Sequence, residues 1–503
     1  MSNLHSVKLK AWEPIDWGAD EALNPLKGWL YKTHRYETGL ETSLIILIDE
    51  NLQNSVENLL ITSAELFRQH VNPLVIRLLV TPASTIRSDF STPLTDFYYG
   101  DNISEKYLTK QVLNNAPDAI IILSDSKLSI QSIAGVPVHL CFKDESQVIV
   151  QVQTSLTSPR SECRKELYSK AKRSSVELVE QITNSYGRDL TLVNYTQGVG
   201  IYGHLLIAEQ LNSISEVGRE LDSALSQGPL SVENPFGENP TGANLASSIW
   251  AYELSKHLNS DKWNHLLDVA ANMYKINPDP SLPPIPCDPI VRTEDMFYSA
   301  AVLGRAFEQH GHSSYLDMLD AFYEMVDLQQ DNGLFWHSKT SPYYWSRGNG
   351  FAILGLSQYL TYVPSDRYLY NTIREQFVNF FQMISKYQDI SGGFHEIIDI
   401  PATYIEFTST CIIGFAALRG KYLGILNDSV DELIHGAWYF LKNRIDTRGN
   451  VTDACFNTGL QPDLESYYLR PAVTGQDDRS GSMALLFCSE VLRTGFSVDQ
   501  PSQ

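Results

Sequence analysis

At 503 residues the chain exceeds the usual span of one hydrophobic core, so its length predicts two domains. A hydrophobic share of 43% with 19% charged residues describes a soluble globular protein, and no run of about 18 apolar residues offers a membrane span. A net charge of −21 argues against nucleic acid and anionic membranes as partners, because both need clustered Lys and Arg; an anionic ligand must be held by local cations.

The opening segment, Met1–Lys8, lacks an apolar stretch, which reads as no secretory signal. Short β-branched runs then alternate with polar stretches: residues 43–49, 73–80, 119–123 and 136–140. The segment from Val56 to His70 carries apolar residues at helical spacing between the first two. Continuous apolar strands separated by helical pattern predict a smaller α/β domain over residues 1–155, with a partly parallel sheet. It has no phosphate-cradling glycine loop, so a nucleotide site has little support.

From about residue 160 the pattern turns helical to the end of the chain. Helices are predicted near 160–184, 198–212, 242–258, 262–275, 295–309, 314–329, 349–361, 367–387, 404–419, 429–443 and 479–494. Met296, Ala300, Leu303 and Phe307 mark the buried face of one of them. Residues 160–503 therefore read as an all-α domain. The six cysteines (Cys141, Cys163, Cys287, Cys411, Cys455, Cys488) form no C-x-x-C pair and predict reduced thiols in a cytoplasmic protein.

Loops between these helices carry the chemistry. Trp345-Ser346-Arg347-Gly348-Asn349-Gly350-Phe351 combines an aromatic plate, a fixed cation, an amide and two glycines. Such a set suits an anionic, ring-shaped ligand: the Trp face stacks on C–H surface and the Arg fork binds carboxylate. The same residues also suit a turn entering a core helix. Upstream lie Glu294-Asp295-Met296-Phe297 and Gly333-Leu334-Phe335-Trp336-His337; downstream lie Gly392-Gly393-Phe394-His395-Glu396 and Tyr404-Ile405-Glu406-Phe407-Thr408-Ser409.

This ordered series resembles the unsaturated glucuronyl and rhamnogalacturonyl hydrolases, glycoside hydrolase families 88 and 105. Their blocks run D-x-[LM]-F, G-x-F-x-H, W-x-R-G-N-G-[WF], then G-x-W/F and Y-x-E-x-[ST]-[SA], and the match covers roughly residues 160–495. The resemblance implies an (α/α)6 barrel of six inner and six outer helices, with the active site in a pocket at one end. It implies hydration of the C4=C5 double bond that a polysaccharide lyase leaves on a uronic acid. That chemistry needs one carboxyl group that gives and takes a proton and a carboxylate-binding site; no metal or cofactor enters.

Asp295 matches the acid/base Asp, in a first turn behind an expected Thr293 N-cap; an Asp there also simply complements the helix dipole. Its use as an acid requires burial or the Glu294 charge to raise its pKa. His337, Trp345, Arg347, Asn349, Trp336, His395 and Glu406 are the expected substrate contacts. Arg347 is the choice for the uronate carboxylate, with a structural salt bridge as its other reading. Asn349 suits a helix cap equally well, and Arg292 and Lys339 are further anion contacts. Many family members carry a second Asp before the helix that begins near 241–244. Residues 233–240 have none, and Glu238 or Asn244 are the nearest substitutes. The segment 475–482 resembles the family's closing loop.

The expected partner is a small anionic oligosaccharide of pectin or rhamnogalacturonan type, with self-association left open. The competing readings are a catalytically decayed barrel that binds sugar in a regulatory role, and a sugar epimerase using His337 and His395 as paired bases.

Overall fold

The computed structural model describes residues 11–85, 102–128, 130, 132–188, 191–258 and 261–498; the Met1–Lys8 segment lies outside them. The N-terminal part is built on β1 (Glu13–Ala19), β2 (Pro25–Lys32), β3 (Thr42–Asp49), β4 (Leu74–Thr81), β5 (Ala119–Ser124), β6 (Ser132–Ile133) and β7 (Val136–Phe142), ordered β1-β2-β4-β3-β5-β7-β6. The run β4-β3-β5-β7 is parallel, as the continuous apolar sequence predicts. β1 and β2 add antiparallel at one edge and go beyond the expected strands. Pro14, Gly18, Pro25 and Gly28 hide their pattern, and edge pairing supplies what propensity does not.

Both faces of this sheet are covered. Leu44, Ile46 and Ile48 pack under α1 (Val56–Arg68) and α3 (Glu145–Thr157), whereas Ile45, Leu47, Ile120 and Ile122 point the other way. On that second side lie Tyr107 and Leu108 of α2 (Ile103–Asn115). Trp345, Ile397, Tyr404 and Tyr467 of the helical part join the same buried cluster.

The helical part follows as α4 (Glu162–Lys172), α5 (Ser175–Ser185), α6 (Tyr195–Gln210), α7 (Ile214–Leu225), α8 (Gly242–Leu245), α9 (Ala251–Leu258), α10 (Asn264–Asn272), α11 (Thr293–His310), α12 (Ser313–Tyr323), α13 (Ser346–Tyr362), α14 (Tyr370–Ile384), α15 (Phe407–Tyr422), α16 (Asp431–Arg444), α17 (Leu464–Tyr468) and α18 (Asp478–Thr494). The single helix expected over 160–184 is two, because Ser174 and Glu177 form a capping box that starts a new one. Among the described residues, α6, the broken segment α8–α9, α11, α13, α15 and α18 pack side by side into a closed ring. α5, α7, α10, α12, α14 and α16 lie outside it, each against an inner neighbour. The inner helices approach closely: a Cβ on Gly355 of α13 would sit 2.5 Å from the Met296 backbone of α11. No described helix is long and apolar enough to cross a membrane. The six cysteines are free.

Because the ring is parallel in sense, the N-termini of its helices gather at one end, beneath the sheet. After the short pair β8 (Phe394–His395) and β9 (Ile405–Glu406), a strap crosses that end: β10 (Val451–Cys455), α17 and β11 (Ala472–Gly475). Asp453 in the strap, fully buried and at φ 61°, binds Lys110 of α2 and accepts from Asn114 at 2.6 Å, with Arg444 at 3.7 Å. Burial pushes the Asp453 carboxyl up, but Lys110 and Arg444 outweigh it and hold its pKa below the ordinary value. A depressed folded-state pKa contributes stability above the unfolded carboxylate value of about 3.9 and loses it as pH falls. Asp453→Asn should cost about 3–5 kcal/mol by stranding buried cations. Thermal melts from pH 7 to pH 3 should show the wild type converging on the variant in acid; parallel curves would show that the pair contributes nothing.

Candidate active site

The carboxyl groups stand at the head of α11. Arg292, in extended backbone, is its N-cap, so Thr293 is the first helical residue and not the expected cap; no side chain caps this end. Thr293 instead donates its amide to the His337 carbonyl at 3.2 Å, tying the helix start to the loop before α13. Glu294 and Asp295 follow in the first turn, both buried. Counting back from Met296-Phe297, the Asp of a D-x-[LM]-F block falls at position 294, where this chain has Glu, and Asp295 occupies the variable position.

The two carboxyls meet different surroundings. Asp295 Oδ2 accepts from the Asp288 amide at 3.0 Å and lies 3.5 Å from Arg292 Nε. Burial raises its pKa, Arg292 and the Asp288 amide oppose, Glu294 adds, and the group comes to about 7. Glu294 places both oxygens 3.1 Å from His337 Nε2. Burial pushes it up as well, but His337 and Arg292 hold it down at about 2. Neighbouring acids thus have their pKa values pushed apart, Glu294 down and Asp295 up to about neutral, the condition for one to give a proton while the other takes one.

His337 continues the chain of polar contacts. Its Nδ1 is 2.6 Å from Tyr467 Oη, which is 2.7 Å from Ser341 Oγ. The Trp345 ring lies 4.5 Å from the imidazole, and the Arg347 guanidinium sits 4.8 Å over the Trp345 ring. Gly348 makes this convergence feasible: a Cβ there would lie 3.0 Å from Thr293 Oγ1 and 3.1 Å from the Trp345 ring. His337, Trp345 and Arg347 are therefore in mutual contact, and the carboxyl that meets His337 is Glu294, with Asp295 turned toward Arg292 and the Asp288 amide.

Arg347, however, is no open carboxylate fork. Its terminal nitrogens donate to the carbonyls of Cys455 at 2.5 Å and Phe456 at 2.9 Å, holding the strap over the ring. Asn349 is likewise committed to backbone and lies inside the helix, not at its cap. Its Oδ1 accepts from the Phe335 amide at 2.7 Å and its Nδ2 donates to the Phe335 and Trp345 carbonyls. Glu406 caps α15 through the amides of Thr408 and Ser409 and also accepts from the Cys455 amide at 2.9 Å. These three side chains position the site. Buried Glu396 lies beside them; burial, then repulsion from Glu406, raises its pKa.

Two expected contacts lie elsewhere. The loop alternates side-chain directions through Phe335-Trp336-His337, so Trp336 faces outward into a cavity of about 480 Å³ with Gln330, Asn332, Lys339 and Tyr344. Lys339 is spent on Asp327 at 2.9 Å. His395 binds the Thr403 carbonyl through Nδ1 and faces a separate cavity between sheet and ring, with Asp16, Arg77 and Lys110. Of the proposed substitutes for a second Asp, Asn244 is used in a capping box with Thr241 and bonds the Val193 carbonyl, and Glu238 is exposed. The carboxyl beside Asp295 is Glu294. Tyr467 went unnoticed in the sequence, where nothing separates it from the Tyr-rich background. Among the described residues no three His, Cys, Asp or Glu side chains cluster as a metal site.

Residues 321–495 match the model of Glycosyl Hydrolase Family 88. The helical region is thus similar to the glycoside hydrolase 88/105 family. The unsaturated rhamnogalacturonyl hydrolase YesR of Bacillus subtilis is 26% identical over 207 residues, which cover 38% of this chain and 56% of YesR; the chain thus spans about half the length of that relative. The fold is shared with a possible family 105 member from Salmonella enterica (TM-score 0.57, 16% identity, 64% of this chain and 94% of that one). It is shared too with a family 105 glycoside hydrolase from Clostridium acetobutylicum (TM-score 0.56, 17% identity, 63% and 99%). Family 88/105 blocks in this chain therefore serve two ends: the Glu294–His337 side forms the chemical cluster, and the Arg347–Asn349 side holds loops in place.

Asn349→Ala should leave the Phe335 amide and carbonyl unpaired in the interior and cost about 2–4 kcal/mol in urea unfolding. An unchanged midpoint would remove Asn349 from this positioning role.

Proposed function

We propose that the chain hydrolyses unsaturated uronides by hydrating their C4=C5 bond, releasing the terminal uronic acid from lyase-generated oligosaccharides. The observation that supports this reading is the adjacent buried pair Asp295 and Glu294 at the head of α11, one against Arg292 and the Asp288 amide and raised in pKa, the other against His337 and lowered. Asp295 gives its proton to C4 and positive charge develops at C5 beside the ring oxygen. Glu294 takes a proton from the water that adds to C5, with His337 orienting its carboxylate. The resulting hemiketal opens and the aglycone leaves. Glu294 releases the proton it took to solvent and Asp295 regains one from solvent, which resets the pair. Pectin or rhamnogalacturonan products are the preferred substrates, supported by the likeness to a rhamnogalacturonyl hydrolase. We place the hydrolase in an (α/α)6 barrel over residues 160–503, with residues 1–155 as an accessory α/β unit, in a reducing, cytoplasmic setting that the free thiols support.

The second reading, a barrel that binds sugar without turning it over, draws support from Arg347, whose fork is spent on carbonyls. An epimerase gains nothing from the geometry, since His337 is buried between Glu294 and Tyr467 whereas His395 faces the cavity between sheet and ring.

The decisive assay follows the ultraviolet absorbance of the conjugated double bond in unsaturated pectic disaccharides. Absorbance should fall with the native chain and stay flat with Asp295→Asn; a flat trace for both would leave the binding reading. In the active protein, kcat/KM should decline tenfold per pH unit above about 7, where Asp295 loses its proton, and show no acid limb above about pH 4, because Glu294 stays ionised there. A profile rising through pH 8 would remove Asp295 as donor.

A further inference from the structure

The uronate carboxylate needs a cation, and Arg347 has no free terminal nitrogen to offer. A second arginine reaches the same mouth from α18. Arg479 is the second residue of that helix, half-buried, and its Nε donates to Tyr195 Oη at 3.1 Å. Neither of its terminal nitrogens has a partner among the described residues. The neighbouring acid Asp477 does not take them, since it caps α18 through the amide of Ser480 and binds the Ser480 hydroxyl.

Tyr195 places this guanidinium beside the chemical cluster. It opens α6, and its ring packs 5.3 Å from Tyr298 and 5.4 Å from Phe351. Tyr298 lies one turn beyond Asp295 on α11. Gly242, at the head of α8, is pinned against both: a Cβ there would lie 3.0 Å from Asp295 Oδ1 and 3.0 Å from the Tyr298 ring. The heads of α6, α8, α11 and α18 thus converge on one place, with the Asp295 carboxyl on one side and the unspent Arg479 fork on the other.

We infer that Arg479 binds the carboxylate of the substrate's terminal uronic acid, with Tyr195 as its positioning residue. The inference rests on the uronide reading above. A planar guanidinium with two free N–H edges offers a carboxylate the bidentate geometry that an ammonium lacks. The hydrogen bond from Nε to Tyr195 fixes the plane of the fork before the ligand arrives, which lowers the ordering cost of binding. In a chain of net charge −21 this local cation supplies the attraction that the overall field does not.

The test compares an unsaturated galacturonyl disaccharide with its methyl ester on the wild type, Arg479→Gln, Arg479→Lys and Tyr195→Phe, with circular dichroism melts confirming folding. For the free acid, Arg479→Gln should raise KM about 10–100-fold, as expected for a lost charge-assisted contact. Its kcat should change by less than about threefold, the pattern of a lost binding contact. For the ester its KM should match the wild type. Arg479→Lys should recover part of the acid preference, and Tyr195→Phe should weaken it without abolishing it. If the wild type turns over and Arg479→Gln keeps the same acid-to-ester ratio, the assignment is overturned while the uronide reading stands. If the wild type shows no turnover, calorimetric titration of the acid decides. Binding lost in Arg479→Gln would keep the site and discard the hydrolysis, whereas binding indifferent to Arg479, or absent, would overturn the assignment as well.

Discussion

The hydrogen bonds from Arg347 to the Cys455 and Phe456 carbonyls organise much of this molecule. They anchor a strap that runs from β10 through α17 to β11 across the gathered helix heads. The strap then reaches in three directions. Its Cys455 amide satisfies Glu406 at the head of α15. Its Tyr467 closes over His337 and so orients the imidazole that holds Glu294 ionised. Its Asp453 receives Lys110 from the sheet side. A charged fork bonded to two carbonyls in a dry interior is held far more tightly than the same contact in water, because neither partner has a competing solvent bond. Ring, buried polar cluster and sheet are thus registered to one another through a single side chain.

The electrostatic design is local throughout. The chain carries a large negative charge, yet around the site the acids are sorted by their immediate neighbours. Glu294 faces an imidazole and stays ionised, Asp295 meets burial and keeps its proton, and Glu396 is pushed toward neutrality by its own burial and by Glu406. Of these three carboxyls one is pushed down and two are pushed up, and the aromatic packing of Trp345, Tyr298 and Phe351 supplies the low-dielectric surroundings that allow it.

Much of this was legible in the sequence, with limits set by what periodicity encodes. The apolar runs of β3, β4 and β5 announce a buried parallel sheet because both their faces are covered. β1 and β2 escape notice, since an edge strand is specified by its neighbour. The ordered blocks pointed to His337, Trp345 and Arg347, which lie in mutual contact, but the carboxyl that joins them is Glu294, one position before the expected Asp295. Which atom each side chain serves was not legible. Arg347 binds carbonyls more than a hundred residues away, and no spacing rule reports a backbone acceptor at that range. Trp336 and His395 share motif blocks with the pocket residues, yet they face other cavities. One-residue alternation in an extended loop sends consecutive side chains to opposite sides. Arg479 was hidden for a related reason: its segment reads as a closing loop, and only the ring's closure brings α18 beside α6.

The sheet's second face has a consequence for how the chain tolerates change. Ile45, Leu47, Ile120 and Ile122 share one buried cluster with Trp345, Tyr404 and Tyr467 of the barrel mouth. Strand side chains alternate with a period of two, so a slip of β3 by one residue would turn Leu44 and Ile46 toward the mouth and Ile45 and Leu47 away from it. In most proteins such an error is a private matter of the sheet. Here the strand register also sets the packing against Trp345, Tyr404 and Tyr467 at the end of the ring. An insertion or deletion in β3, though far from Trp345 and Tyr467 in sequence, would disturb the cluster they form around His337 as soon as it disturbed the sheet.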